Sequence, residues 1–481
     1  MTEYRPAPRL HDSGLALHDV VAAVDFPETR LRYRNNRAAM SVGLDGLSDA
    51  QWIAHFGRFQ PLPGNQPTPL ALRYHGHQFR QYNPDLGDGR GFLFAQMLDD
   101  RDRLLDLGTK GSGKTPWSRG GDGRLTLKGG VREVLATAML EALGVPTSKS
   151  FSLIATGEAL VRGDEPSPTR SSVLVRLSHS HIRFGTFERL AYLNDTETMA
   201  ALIDFIVANY SLPIHGEGGP PNGGGRGEAA PSPAAGVFDA AVSTTATLAA
   251  RWMAAGFVHG VLNTDNMNIT GESFDYGPYR FLPRFDPDFT AAYFDQWGLY
   301  AYGRQPDAVG WNLARLGSSL TLICPPEPLT DSLKAFGDRY DRALGEAFCA
   351  RLNLVPQDDN DALVEALFAF LKTITVDGSF EAVLYDWFGG AISRDRAFSG
   401  QRGDWYRGAD FNAFYDALKG YAAADPAKLD HPRFAQAGPE TLLYDEIEAI
   451  WAQIALEDDW SLFDAKLAAI DVWREALSLG A

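Results

Sequence analysis

Residues 108–115, GTKGSGKT, match the phosphate-binding pattern G-x-x-x-x-G-K-[ST], and the residues after them decide whether the chain can form a P-loop fold. In a P-loop protein the pattern lies between a strand and a helix, because the helix N-terminus donates N–H groups to the phosphates. Here the match is followed by PWSRGGDG, which has three glycines in four residues. Each glycine costs a helix about 1 kcal/mol relative to alanine. The sequence therefore predicts a loop at residues 116–123 and a coincidental match to the P-loop pattern.

A second lysine in this stretch indicates a different kind of nucleotide site. Residues 91–100 and 104–111 predict two antiparallel strands joined by a polar turn, and Lys110 ends the second strand. Residues 129–145 have apolar positions at helical spacing and predict a helix with Glu133 in its first turns. Protein kinases hold nucleotide phosphates with a strand lysine paired to a helix glutamate. Alone the pair is a weak signal, because surface charges occur at such spacings too.

Motifs further along the chain supply most of the remaining parts of a kinase site. Residues 257–269, FVHGVLNTDNMNI, align with the catalytic-loop pattern H-R-D-L-x-x-x-N and place Asn266 on its magnesium-binding Asn. Residues 275–277, DYG, are similar to the D-F-G sequence whose Asp binds magnesium. Val261 stands where kinases have their catalytic Asp, and valine cannot accept a proton. Because Asp265 offers a carboxylate nearby, the site is either inactive or catalyses a different transfer.

Seven motifs taken together make the chain similar to the selenoprotein O family (YdiU in bacteria), whose members are protein adenylyltransferases with a pseudokinase fold. The motifs lie within residues 70–320 and follow the order of the family. They read YHGHQF, NPDLGDGRG, DLGTKGSGKTPWSRGGDGR, HIRFGTFE, HGVLNTDNM, DYGP and GWNLARL. The resemblance implies transfer of AMP from ATP to Ser, Thr or Tyr hydroxyl groups of proteins. Transfer of UMP from UTP is also attributed to bacterial members.

The resemblance assigns roles to residues by their position in the motifs. Asp265 would be the general base, Lys110 would contact the phosphates and Glu133 would hold Lys110. Two residues would bind Mg²⁺ or Mn²⁺, namely Asn266 and Asp275. The other nucleotide contacts, of which the last two would clamp the terminal phosphates, are Gly87, Gly89, Arg90, Asp122, Gly123, Arg176 and Arg183. Attack at the α-phosphorus releases pyrophosphate, so negative charge develops where arginine and lysine donors stabilise it most.

The order of the predicted elements indicates an α+β protein with a protein-kinase-like, two-lobed fold. Residues 1–200 are predicted to form an N-terminal segment and a mixed, strand-bearing N-lobe. Residues 201–481 are predicted to form a larger, mainly helical C-lobe that carries the catalytic loop. Within it, residues 215–236 are rich in Gly and Pro and predict a flexible insert. A cleft between two such lobes is where a nucleotide is expected to bind.

Composition limits the partners and the compartment. Forty-four Lys and Arg against 61 Asp and Glu give a net charge of -17, which disfavours non-specific binding to nucleic acid or anionic membranes. Neither a secretory signal nor an apolar run long enough to span a membrane is visible, so we expect a cytoplasmic protein whose partners are ATP and protein substrates. The two cysteines, Cys324 and Cys349, are expected to be buried, inert thiols. Family members commonly carry a Cys or selenocysteine near the C-terminus, and this chain has none after Cys349.

Three functions remain open on the sequence, and an active protein adenylyltransferase is favoured. A catalytically silent pseudokinase acting as a nucleotide-binding scaffold is disfavoured, because Lys110, Glu133, Asn266 and Asp275 are all present. A small-molecule kinase of the aminoglycoside-phosphotransferase type would require Asp where Val261 stands. The alternating histidines have no carboxylate or Cys cluster beside them, so hydrogen bonding is predicted for them in preference to metal binding. They are His75, His77, His179 and His181.

Overall fold

A computed structural model describes residues 2–163, 165–213 and 232–478. In the described residues, strands concentrate between residues 5 and 178, and helices dominate the rest. The strands are β1 Arg5–Pro6, β2 His18–Val20, β3 Arg30–Arg34, β4 Leu70–Leu72, β5 Gly76–Gln78, β6 Gln81–Asn83, β7 Leu93–Leu98, β8 Leu104–Lys110, β9 Leu125–Thr126, β10 Lys149–Leu160, β11 Thr169–Ser178, β12 Phe257–Val258 and β13 Arg280–Phe281. The helices are α1 Arg9–Asp12, α2 Asn36–Ser41, α3 Asp49–Phe56, α4 Leu127–Ala142, α5 Phe184–Tyr192, α6 Thr196–Asn209, α7 Pro233–Ala254, α8 Gln305–Leu320, α9 Pro326–Lys334, α10 Phe336–Arg351, α11 Asp361–Lys372, α12 Ser379–Asp386, α13 Arg394–Ser399, α14 Ala409–Leu418, α15 Tyr444–Glu457 and α16 Ser461–Leu477.

The main sheet is antiparallel and has the order β2-β4-β7-β8-β11-β10-β3, with β1 paired to β7 and β9 paired to β11. Strand β8 lies in its centre and is buried on both faces. Alternate side chains of a strand point to opposite faces, so Leu104 joins the core with α4 while Leu105 and Leu107 join the core with α3. The sheet therefore holds Lys110, the last residue of β8, between two packed layers.

The structure confirms the local predictions around the Gly-rich stretch. Strands β7 and β8 pair as an antiparallel hairpin, as the polar turn between them predicts. No helix follows Lys114 within residues 111–124, where Gly113 has φ +133° and Gly123 has φ +70°. Helix α4 begins at Leu127 because the Thr126 hydroxyl accepts a hydrogen bond from the N–H of Gly129 at 3.1 Å. It carries Glu133 in its second turn.

One boundary of the predicted insert is wrong. Helix α7 begins at Pro233, so residues 233–236 are helical instead of belonging to a Gly/Pro-rich loop. Ser232 caps the helix by accepting a hydrogen bond from Ala235, and proline fits the first helical turn because its missing N–H has no partner there. Residues 215–231 of the predicted insert lie outside the described residues.

The two C-terminal helices contact α4, the helix that carries Glu133. Helix α16 packs against α4, and the ammonium of Lys128 lies 2.8 Å from a carboxylate oxygen of Glu448 on α15.

A second apolar core joins α10 to α14, and it buries Cys349, whose pKa is raised to about 12 by burial. Cys324 is also buried, as predicted. Among the described residues, no helix has both the length and the apolarity that crossing a membrane requires. The α+β composition is confirmed, while the division at residue 200 stays a prediction.

Candidate active site

A cavity of about 680 Å³ brings the predicted site residues together. Every one of them lines it except Glu133, which lies behind Lys110. The walls come from separate parts of the chain: the loop before β7, the end of β8, the Gly-rich loop, β11, and the loop between β12 and β13. A larger cavity of about 940 Å³ is lined by none of these residues, so cavity size alone does not point to the predicted site.

Asp275 is the centre of a buried ion network. Its Oδ1 lies 3.0 Å from the ammonium of Lys110 and 2.7 Å from Nη1 of Arg176. Its Oδ2 lies 3.1 Å from Nη1 of Arg183. Burial alone would raise the pKa of Asp275, but the positive charges of Lys110, Arg176 and Arg183 outweigh it and hold the pKa well below its ordinary value. Lys110 also forms an ion pair with Glu133, as the sequence predicts.

The two arginines predicted to clamp the terminal phosphates face into the cavity from rigid elements. Arg176 lies on β11 opposite Gly108 of β8, and Arg183 immediately precedes α5. In addition to its contact with Asp275, Arg183 donates a hydrogen bond to the backbone oxygen of Asp265 at 2.8 Å. The Nε atoms of both arginines are buried without a hydrogen-bond partner among the described residues. The site thus concentrates positive charge where a polyphosphate would supply acceptors.

Asp265 has the environment of a proton acceptor. It lies in the short 3₁₀ turn Thr264–Asn266, and its Oδ1 is buried with no hydrogen-bond partner among the described residues. Burial raises the pKa of Asp265 to about 6, against the opposing positive charge of Arg183. A carboxylate with a pKa near neutrality can take up a proton during a reaction and release it afterwards.

Asn266 and Asp275, the two predicted metal ligands, both line the cavity and carry side-chain oxygens. The described residues hold no cluster of three or more His, Cys, Asp or Glu side chains that could bind a metal by themselves. Mg²⁺ is commonly held by one or two protein oxygens together with waters and substrate phosphates. The donor set therefore fits a metal that enters with a nucleotide.

Three predicted contact positions are glycines because other atoms lie close to their backbones. A Cβ on Gly87 would stand 2.4 Å from the Trp117 ring, and one on Gly89 would stand 2.8 Å from the Trp117 carbonyl oxygen. A Cβ on Gly123 would stand 2.2 Å from the backbone of Gly113. These contacts fold the loop that contains Trp117 over the cavity.

Sequence reasoning missed several residues that line the cavity. Asp88 is buried, accepts a hydrogen bond from the N–H of Leu72 at 3.0 Å and lies 3.5 Å from Arg183. Its position between Gly87 and Gly89 in a family motif was a usable signal. Arg162 pairs with Asp122 at 2.8 Å, and no motif marks it. The other missed basic residues of the lining are Arg119 and Arg124.

The four alternating histidines form hydrogen bonds, as predicted. His77 lies 2.6 Å from Glu188, whose other oxygen accepts from the Thr264 hydroxyl at 2.7 Å, so the pair supports the turn that carries Asp265. The remaining partners are Tyr82 for His75, Arg103 for His179, and Asp106 with Ser178 for His181.

Comparison with known proteins gives a consistent result over nearly the whole chain. The family model described as "Protein adenylyltransferase SelO" matches residues 1–471. A relative from Synechocystis sp., "Protein nucleotidyltransferase YdiU", is 44% identical over 95% of this chain and 96% of its own length. A relative with the same description from Gloeobacter violaceus is 44% identical over 96% of this chain and 93% of its own length. One from Synechococcus elongatus is 42% identical over 97% of this chain and 94% of its own length.

Proposed function

The chain belongs to the SelO family of protein adenylyltransferases, and on that premise we propose that it transfers AMP from ATP to Ser, Thr or Tyr hydroxyl groups of proteins. The observation that carries the proposal is the placement of Asp265, Lys110 and the two arginines around one cavity while Val261 takes the place of the kinase base. A base has been lost at one position, and a buried carboxylate with a pKa of about 6 is available at another.

The proposed reaction assigns a task to each charged group. The acceptor oxygen attacks the α-phosphorus, its proton passes to Asp265, and the bond from the α-phosphorus to the bridging oxygen breaks. Pyrophosphate leaves with the electron pair of that bond. Lys110, Arg176 and Arg183 stabilise the charge that develops on the leaving group, because donors fixed in a buried site need little reorganisation.

Glu133 and Asp275 keep those cations in place before the nucleotide binds. Glu133 pairs with Lys110, and Asp275 contacts all three cations. Asn266 and Asp275 would hold Mg²⁺ or Mn²⁺, which would neutralise part of the negative charge of the nucleotide phosphates. Gly87, Gly89 and Gly123 allow close approach of the loop that contains Gly113 and Trp117, because a Cβ at each would stand 2.8 Å or less from an atom of those two residues.

Labelled nucleotides test the proposal directly. The protein is incubated with ATP labelled at the α or the γ position, Mg²⁺ or Mn²⁺, and a mixture of proteins. We expect covalent label from the α position only, and a mass gain of AMP on Ser, Thr or Tyr. Label from the γ position would identify a kinase, and no label despite ATP binding would identify a silent pseudokinase. α-Labelled UTP in a parallel reaction determines whether UMP is transferred too.

A further inference from the structure

A group of exposed aromatic rings lies beside the loop that carries Asp265. It consists of Phe79, Phe294 and Tyr293, whose rings are neighbours, and of Trp297 in the same loop of residues 293–300, and it is here called the aromatic patch. Trp297 is 90% exposed and Tyr293 81% exposed, the two highest values for aromatic residues in the described part of the chain. The ring of Phe294 lies 5.9 Å from that of Phe79 and 5.2 Å from that of Tyr293. Single exposed apolar residues are ordinary, whereas clustered ones mark binding surfaces.

The patch is fixed to the catalytic loop by hydrogen bonds. The Oδ1 atom of Asn263 lines the cavity two residues before Asp265, and it accepts from the N–H of Phe79 at 3.0 Å and from the Tyr300 hydroxyl at 2.7 Å. The buried carboxylate of Asp295 accepts the backbone N–H groups of Leu299 and Tyr300, both at 2.8 Å, and so holds the loop of residues 293–300. The exposed rings are therefore presented by an ordered surface that is hydrogen-bonded to Asn263, a residue of the cavity lining.

The hairpin that presents Phe79 has an unfavourable backbone. Strands β5 and β6 are joined by Phe79 and Arg80, whose φ values are +49° and +63°. A two-residue turn of this kind favours Asn-Gly, because residues with a Cβ are strained at positive φ. Strained residues persist where the surrounding structure enforces them, and they cluster at functional sites. Here the bond from Phe79 to Asn263 enforces the conformation.

We propose that the aromatic patch binds an extended segment of the protein substrate that carries a large apolar side chain within a few residues of the acceptor hydroxyl. The proposal rests on the proposed function, because in that function a protein hydroxyl group must reach Asp265 in the cavity. Aromatic residues provide much of the binding energy at protein interfaces, and a patch hydrogen-bonded to the catalytic loop through Asn263 would position the hydroxyl. Because Phe79 is hydrogen-bonded to Asn263, two residues before Asp265, the apolar side chain would lie close to the hydroxyl in sequence.

The test compares two synthetic 15-residue peptides in which one Tyr is the sole hydroxyl side chain. Leu and Phe flank the Tyr in one peptide, and Asn and Gln flank it in the other. Incorporation of α-label from ATP gives kcat and KM for each. The wild-type protein should modify the apolar-flanked peptide with a kcat/KM about tenfold higher, since a well-placed aromatic contact contributes about a factor of ten.

The decisive variant is Tyr293→Gln combined with Trp297→Gln. Because both rings are highly exposed, the variant should have the same Tm as the wild type. It should lose the preference through a raised KM for the apolar-flanked peptide, and its kinetics with the other peptide should not change. The matched control is Leu456→Gln combined with Val376→Gln, which removes exposed apolar side chains from outside the aromatic patch and should keep the preference.

The outcomes separate this proposal from the function on which it rests. α-Label in both peptides with equal kcat/KM, or an unchanged preference in the variant, would overturn the docking proposal alone. Absence of α-label in every acceptor would overturn the proposed function and the docking proposal with it. A dimer of the wild type in sedimentation that the variant abolishes would identify a second copy of the chain as the occupant, against the proposal.

Discussion

Replacing Asp275 with Asn tests whether this carboxylate neutralises the buried cations. The side chain keeps its shape and loses its charge, so Arg176 and Arg183 lose their shared counterion while Lys110 retains Glu133. Breaking a buried ion pair by removing one partner costs about 3–5 kcal/mol. Each kcal/mol lowers the Tm of a chain of 150–250 residues by about 2–4 °C and that of a longer chain by less. We therefore expect Asp275→Asn to lower the Tm by about 5 °C.

Calorimetry of the nucleotide-free and metal-free protein measures this effect. The matched control is Asp331→Asn, which removes an exposed partner 3.2 Å from Lys334 and should change stability by about 0–1 kcal/mol. ATP without metal should raise the Tm of Asp275→Asn by more than it raises that of the wild type, because the phosphates replace the missing negative charge. A Tm equal to that of the wild type without nucleotide would refute the role assigned to Asp275.

Three further perturbations follow from the site and the fold. Asp265→Asn should lower kcat by about 10²–10⁴-fold and leave the Kd for ATP nearly unchanged, because a general base acts in the transition state. Single-turnover labelling measures the rate and calorimetric titration measures the Kd. A wild-type kcat would exclude Asp265 as the base. Gly123→Ala should weaken ATP binding, because the new Cβ would stand 2.2 Å from backbone at a φ of +70°, whereas Gly163→Ala meets no atom within 4 Å and should bind ATP normally. Burial would raise the pKa of Glu141, but its hydrogen bond with Arg37 and nearby positive charges lower that pKa from 4.5 to about 2. This carboxylate therefore stabilises the fold above pH 4.5, and the stabilisation is lost as the pH falls toward 2. Arg37→Gln should lower the Tm at pH 7 and make its decline between pH 4.5 and 2 shallower; parallel Tm profiles would contradict the assignment.

The sequence alone determined the local structure around the site. The polar turn before Leu104 predicted the β7–β8 hairpin, and three glycines in four residues, each unfavourable in a helix, predicted a loop after Lys114. The helix start was predicted at residue 129 and lies at Leu127, because the capping role of Thr126 was not recognised. These features depend on neighbouring residues, which is why a local pattern suffices to predict them.

The candidate site residues were predicted from the resemblance of their motifs and not from the physical chemistry of their own segments. The motifs predicted roles for Asp265, Asn266 and Asp275, and all three line one cavity, although nothing in their own segments indicates which cations face them. Arg162 carried no signal at all, because its role depends on the approach of Asp122 from a loop 40 residues away.

Tertiary structure alone decided the electrostatics of the site. Asp275 lies 165 residues from Lys110 in sequence (275 − 110), and only the pairing of β8 with β11 brings Lys110 and Arg176 to the same carboxylate. Burial then raises the pKa of Asp265, while three cations lower that of Asp275. Burial favours the neutral form of both aspartates, and their pKa values shift in opposite directions because the fold, and not the sequence around each, sets how many cations lie against each carboxylate.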